Sequence, residues 1–113
     1  MLKVNIIGIG PGNPDLLTGA ARQAIAESNI LIGDKRMLSA FAENEKMLYY
    51  TIRTSDIVEI AAKADPAKDV IAVLVSGDVG FFSLAKTISG KLPECECVRY
   101  VGISSLVYFA GRL

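Results

Sequence analysis

The chain has 113 residues, 51% of them hydrophobic, and its 12 cationic and 12 anionic side chains balance; this suits one small domain with its own core and leaves no basic footprint for nucleic acid. It contains no histidine, which removes Ser-His and Cys-His nucleophilic pairs and most zinc chemistries from its own residues. No apolar run approaches the ~18 residues of a membrane span, and the N-terminus lacks the layout of a signal peptide, so a cytoplasmic protein without a membrane partner is expected.

The first predicted element is a strand over Lys3–Ile9, whose run NIIGI reads as buried on both faces, as central parallel strands are. It breaks into a turn holding Gly8, Gly10 and Gly12 with Pro11 and Pro14. Glycines at this density mark a strand end where the main chain must come close to something. Local pattern leaves two readings. One is the dinucleotide fingerprint: Gly8 and Gly10 fit, and Asp34 imitates the ribose-binding acid. However, Asn13 stands at the third glycine position, and the two prolines remove amide donors that a pyrophosphate would use. The other is a tight strand-to-helix turn without a ligand. The P-loop pattern is absent.

Thr18 can cap a helix running to Ser28, with Ala21, Ala24, Ile25 and Ser28 on one face. A strand over Ile30–Gly33 and a short helix over Lys35–Ala42 follow, then a strand over Lys46–Thr51. Ser55 can cap a third helix with Ile57, Ile60, Ala61 and Ala64 at helical spacing. After the polar turn Ala64–Asp69, VIAVLV in Val70–Ser76 reads as a second central strand. Its end, Ser76, Gly77, Asp78 and Gly80, forms a second glycine turn before a helix over Gly80–Lys91. Cys95 and Cys97 are too close along the chain for an ordinary disulfide; they read as buried or half-buried thiols of a reducing compartment. A strand over Cys97–Val101 then turns at Gly102 into a helix over Ser104–Arg112. The chain stops inside or just after that helix, as a complete small domain or a larger protein cut at a domain edge would.

This alternation predicts an α/β fold: a single three-layer domain over residues 1–113, with a mainly parallel five-stranded sheet and helices on both faces. Three glycine turns, after the first, fourth and fifth strands, can then face one edge of the sheet and form a concave site. Taken singly, Asp78 and Ser104 read as helix N-caps; it is the three turns together that point to a site.

GIGPGNPDLLT, SGDVGFFSLA and GISSLVYFAGRL, in this order, resemble the tetrapyrrole (corrin/porphyrin) methylase family. ILIGDKRML, and GISS followed by an aromatic and Ala-x-Arg-Leu, are most similar to its precorrin-6Y methylase branch in cobalamin biosynthesis. The resemblance implies the N-terminal half of a two-domain fold that holds S-adenosyl-L-methionine (SAM) between its domains; the second domain would lie outside this chain. It implies a SAM-dependent methyltransferase acting at C5 of a corrin precursor, with the isolated fragment inactive. It also implies a homodimer, and a C15-methylating and decarboxylating methyltransferase as a further partner. By position, the cofactor-facing residues would be Pro11, Gly77, Asp78, Phe81, Ser104 and Ser105. Gly8, Gly10 and Gly12 would line the tetrapyrrole trough, and Lys35, Arg36 and Arg53 are candidate cations for the substrate's carboxylates. Asp34 falls where the uroporphyrinogen methylases place an acidic proton acceptor, although their companion lysine has no match here. Val101 stands where the family usually has proline. A different class remains open beside this one: a non-catalytic or regulatory α/β nucleotide-binding module.

Overall fold

A computed structural model describes residues 1–9, 18–39, 46–76 and 81–101. Among these residues, five strands, β1 (Lys3–Ile9), β2 (Ile30–Gly33), β3 (Met47–Tyr50), β4 (Val70–Ser76) and β5 (Glu96–Val101), alternate with four helices, α1 (Gly19–Glu27), α2 (Lys35–Ser39), α3 (Thr54–Lys63) and α4 (Phe81–Lys91). The strands form one sheet in the order β3-β2-β4-β1-β5, and every pairing is parallel. The α/β class expected from the alternation is therefore observed. β1, β2 and β4 have the expected bounds, whereas β3 is one residue shorter at each end and β5 begins one residue earlier. The end of the predicted Lys35–Ala42 helix and the whole of the predicted Ser104–Arg112 helix lie outside the described residues.

The side-chain period of the strands divides the core in two. Val4, Ile6, Ile30, Ile32, Ile71 and Val73 face α3 and α4, where they meet Ile57, Ala61, Phe81, Ala85 and Ile88. Ile7, Ile9, Leu31, Ala72 and Leu74 face α1 and α2, against Ala21, Ala24, Ile25 and Leu38. Helices thus cover both faces, and the apolar runs of β1 and β4 are explained by burial on both sides. Asn5 is the polar exception within β1. It is fully buried, and its amide reaches the Ser28 hydroxyl at 3.5 Å, while Ser28 Oγ donates to the Ala24 carbonyl at 2.7 Å.

Local chemistry sets the helix ends. Thr18 caps α1, its hydroxyl accepting the Ala21 N–H at 3.2 Å. At the other end of α1, Lys46 Nζ donates to the carbonyls of Ile25 (3.1 Å), Ala26 (3.2 Å) and Ser28 (2.5 Å). A cation placed there satisfies acceptors that the helix leaves unpaired and complements its dipole. α3 corrects one expectation: Ser55 is not its cap but lies exposed inside the first turn, and Arg53 stands at the N-cap without a side-chain bond. The capping geometry is displaced upstream. Thr51 Oγ1 accepts the Arg53 N–H at 3.2 Å and donates to Asp56 Oδ2 at 2.6 Å. This turns the chain into the helix two residues earlier than a Ser55 cap would.

The amino ends of the strands are tied by Asn29. Its Oδ1 accepts the Val70 N–H at 2.7 Å and its Nδ2 donates to Asp69 Oδ1 at 2.8 Å. The Asn29 carbonyl accepts from Met47 at 2.9 Å. One asparagine therefore links the entrances of β2, β3 and β4. Asp69 also accepts the Asp65 N–H at 2.9 Å, and these backbone and amide donors hold its carboxyl below the usual carboxylate range.

Candidate functional site

In a parallel sheet all strands end on one edge, and strand order decides which exits are neighbours. The three strands that precede the glycine turns, β4, β1 and β5, are adjacent in the sheet. Ile9 is the register partner of Ser76, and Gly8 of Val101, so the chain leaves β1, β4 and β5 at nearly one level. The connections then diverge. The chain from β1 leads to α1 on one face, and the chain from β4 leads to α4 on the other. Adjacent parallel strands whose connections leave to opposite faces open a crevice at the carboxyl edge, which is the ligand position of open α/β sheets. β4 has such a neighbour on each side, since the chain from β2 also turns to the α1 face.

Of the residues singled out in the sequence, Gly10, Pro11, Gly12, Gly77, Asp78, Ser104 and Ser105 lie outside the described residues. Gly8 is buried in β1 between Val75 and Val101. Phe81 opens α4, and its side chain is 2% exposed within the core beneath α3 and α4. The core contacts of Phe81 continue through Ala85, Ile88 and Leu92 at helical spacing, a pattern already present in the sequence.

Asp34, Lys35 and Arg36 follow β2 and are exposed at the same edge, one strand spacing (~4.8 Å) from β4 and two from β1. Asp34 is the N-cap of α2: its Oδ1 accepts the Met37 N–H at 2.8 Å, and its carbonyl accepts from Leu38 at 3.0 Å. Of the roles open to this carboxylate, capping is the one its geometry performs. Gly33 and Tyr50 are register partners, which brings the exits of β2 and β3 together and places Arg53, also exposed, next along the edge from Arg36.

Two features had no signal in the sequence. Lys46 is drawn to the end of α1, a contact between residues distant along the chain. A cleft of about 350 Å³ opens between β3 and α3, bounded by Tyr49, Tyr50, Asp56, Glu59 and Ile60. Cys95 and Cys97 are free and half-buried as expected, both against the core beneath α3 and α4. Burial pushes both thiols up. No group of three His, Cys, Asp or Glu that could hold a metal occurs among the described residues, nor is any described helix long and apolar enough to cross a membrane.

Such a sheet, with an edge at which connections diverge, defines an open parallel α/β domain. The particular family follows from comparison: residues 3–113 match the Tetrapyrrole (Corrin/Porphyrin) Methylases, and the chain belongs to that family. SAM is the methyl donor of tetrapyrrole methylases. The chain is 30% identical over 115 residues to a probable cobalt-precorrin-7 C(5)-methyltransferase of Methanocaldococcus jannaschii, covering 97% of this chain and 54% of that protein. It is 33% identical over 106 residues to a cobalt-factor III methyltransferase of Priestia megaterium, covering 89% of this chain and 19% of that protein. Among solved structures, the methyltransferase CobJ superposes with a TM-score of 0.77 at 26% identity, over 99% of this chain and 51% of CobJ. The chain thus spans about half the length of the C(5)-methyltransferase and of CobJ.

Proposed function

We propose that this chain is the first domain of a SAM-dependent C-methyltransferase that acts at C5 of a corrin precursor (precorrin-6Y or cobalt-precorrin-7) in cobalamin biosynthesis. The observation that carries the reading is the adjacency of β4, β1 and β5, which puts the exits to all three glycine turns side by side at the diverging edge. The C5 assignment is supported by likeness to the Methanocaldococcus jannaschii protein and by the ILIGDKRML and GISS segments. A homodimer, a cytoplasmic location and a C15-methylating partner belong to the same reading.

The site suits a methyl donor that needs positioning more than side-chain chemistry. SAM supplies an already activated methyl group, so the protein's task is alignment and exclusion of water. A diverging edge with glycine turns gives close main-chain approach, and the chain has no histidine to act as a base. The turn residues Pro11, Gly77, Asp78, Ser104 and Ser105 are proposed to hold the cofactor. Because the Phe81 ring is enclosed in the core, its proposed part is to anchor the start of α4 beside the site. Gly8, Gly10 and Gly12 with Lys35, Arg36 and Arg53 are proposed for the tetrapyrrole: glycines against the ring, exposed cations toward its carboxylates. Asp34 is proposed chiefly as the residue that fixes α2, and with it these cations.

Calorimetric titration with S-adenosylhomocysteine tests the reading on this chain alone and on the chain joined to a second α/β half of the family. A pocket closed by two domains loses much of its buried surface when one is missing. Binding is expected in the joined protein and weak or undetectable binding in the single domain. Absence of binding in a folded joined protein overturns the methyltransferase reading; micromolar binding by the chain alone overturns the shared pocket.

A further inference from the structure

Methyl transfer as proposed uses neither Cys95 nor Cys97. The two stand where the chain enters β5, one residue apart from each other, and both pack against the core beneath α3 and α4. Their thiols therefore lie on one face of the sheet. The backbone is already drawn alongside β1 at this point: the Glu96 N–H donates to the Leu2 carbonyl at 2.8 Å, and Cys97 is the register partner of Val4. At ~3.3 Å per residue, like-facing Cβ atoms two positions apart stand about 6.6 Å from each other. A disulfide requires ~3.5–4.5 Å between Cβ atoms, so the pair does not close on itself without moving the backbone. Both thiols are free and half-buried, and Ser89 of α4 lies within hydrogen-bonding reach of Cys97. The place is open enough for an ion to reach and apolar enough to disfavour water.

We propose that Cys95 and Cys97 form a two-coordinate site for a soft monovalent cation, copper(I). Thiolates select soft ions. An ion at ~2.3 Å from each sulfur holds the sulfurs ~4.6 Å apart, which the ~6.6 Å spacing reaches when each side chain leans inward by about 1 Å. A harder ion is not served. Structural zinc takes four ligands, the chain has no histidine, and no group of three His, Cys, Asp or Glu occurs among the described residues. Glu96, between the cysteines, pairs in register with Lys3 and by alternation belongs to the opposite face. Binding forms two sulfur–copper bonds and releases the two thiol protons to solvent; no electron is transferred. The resulting centre carries one negative charge. Arg99, next on the same face, favours that charge at Cys97, while Glu94 opposes it at Cys95. Burial keeps both thiols protonated when the site is empty, so they resist oxidation, whereas a soft ion displaces the protons. The site lies at the amino end of β5, with Cys97 roughly 13 Å along the strand from Val101 at the ligand edge. It does not depend on the methyltransferase reading.

Anaerobic titration of the chain with copper(I), in competition with a chromogenic copper(I) chelator, tests it. The unsubstituted chain is expected to retain one ion per chain. Cys95→Ser and Cys97→Ser each remove one of two ligands, so each should weaken retention by more than the roughly 10–100-fold that outer-shell changes cost. Both positions are only half-buried, so the variants should keep their circular dichroism. A second measurement needs no variant: X-ray absorption at the copper edge of the loaded chain should show two sulfur neighbours and no nitrogen or oxygen. A third isolates the part played by the fold. A linear peptide with the sequence of Leu92–Arg99 carries the same two thiols without preorganisation and should bind at least about tenfold more weakly. No retained ion, undiminished retention in the Cys95→Ser, Cys97→Ser double variant, or nitrogen or oxygen at the metal overturns the proposal. So does equal binding by the peptide, or a stoichiometry of one ion to two chains.

Discussion

Gly33 lies directly against Leu74: a Cβ on Gly33 would stand 2.9 Å from the Leu74 carbonyl oxygen and 3.4 Å from its Cβ. The last residue of β2 therefore approaches β4 at a distance that only glycine permits, with Leu38 of α2 closing over the same point at 3.3 Å. Backbone cannot retreat as a flexible side-chain tip can. Gly33→Ala should destabilise the domain by about 1–3 kcal/mol, the range of overpacked cores. Urea denaturation should give a lower midpoint at an unchanged slope; an unchanged midpoint would show that β2 can shift away from β4.

Lys46 should behave as a structural cation. Lys46→Met keeps the aliphatic stem and removes three donors from the end of α1. A loss of about 1–2 kcal/mol is expected, since hydrogen bonds to charged groups are among the stronger ones. Thermal unfolding measures it. Equal melting temperatures for the variant and the unsubstituted chain would mean that water replaces the ammonium without cost.

Asp69 gives the stability an acid limb. Its folded carboxyl lies below the usual carboxylate range, held there first by the Asp65 N–H and then by the Asn29 amide. A depressed folded value means that the unfolded state binds the proton more readily. The contribution is complete above the unfolded value and disappears as pH falls through the folded one. In Asp69→Asn, stability should fall less steeply between neutral pH and pH below that value than in the unsubstituted chain. Identical acid limbs in urea titrations across this range would remove Asp69 as a source of the dependence.

Asp34 separates capping from proton transfer. Asp34→Ala should cost about 1 kcal/mol of stability through the lost bond to Met37. Asp34→Asn, in the chain joined to a second α/β half of the family, should lower turnover by about tenfold, below the usual general-base range, and leave SAM affinity unchanged. A loss of about a thousandfold at unchanged SAM affinity would make this carboxylate the base. NAD binding that vanishes in the variant would favour the dinucleotide reading of Gly8, Gly10 and Asp34.

Much of this fold was legible because its signals are local. β4 is a continuous apolar run bounded by Asp69 and Ser76, and α1 carries its cap, Thr18, and its buried face in one short stretch. The third helix was misread because Ser55 is a good cap by type, whereas the hydroxyl that organises the entry, Thr51, lies outside the helix and works through Asp56. Strand order was not readable, because nothing in the pattern of β4 says that it lies between β2 and β1. At the site, Asp34 as a cap follows from its spacing to Met37. The enclosure of Phe81 follows from its spacing to Ala85 and Ile88, once helical period is weighed above family position. The Lys46 and Asn29 contacts join segments far apart in sequence and leave no local trace.

The place of β4 in the sheet also orders events in time. On the ribosome, β2 and β3 emerge early and can pair with each other, but both neighbours of β1 begin at or after Val70. β1 therefore waits without a partner while more than half of the chain is made. β1 and the β2-β3 pair become one sheet only when β4 enters between them, a long-range closure of the kind that slows folding. Its entry joins β2 to β1 and brings its exit beside that of β1, so the step that unites the two parts of the sheet also begins the ligand edge.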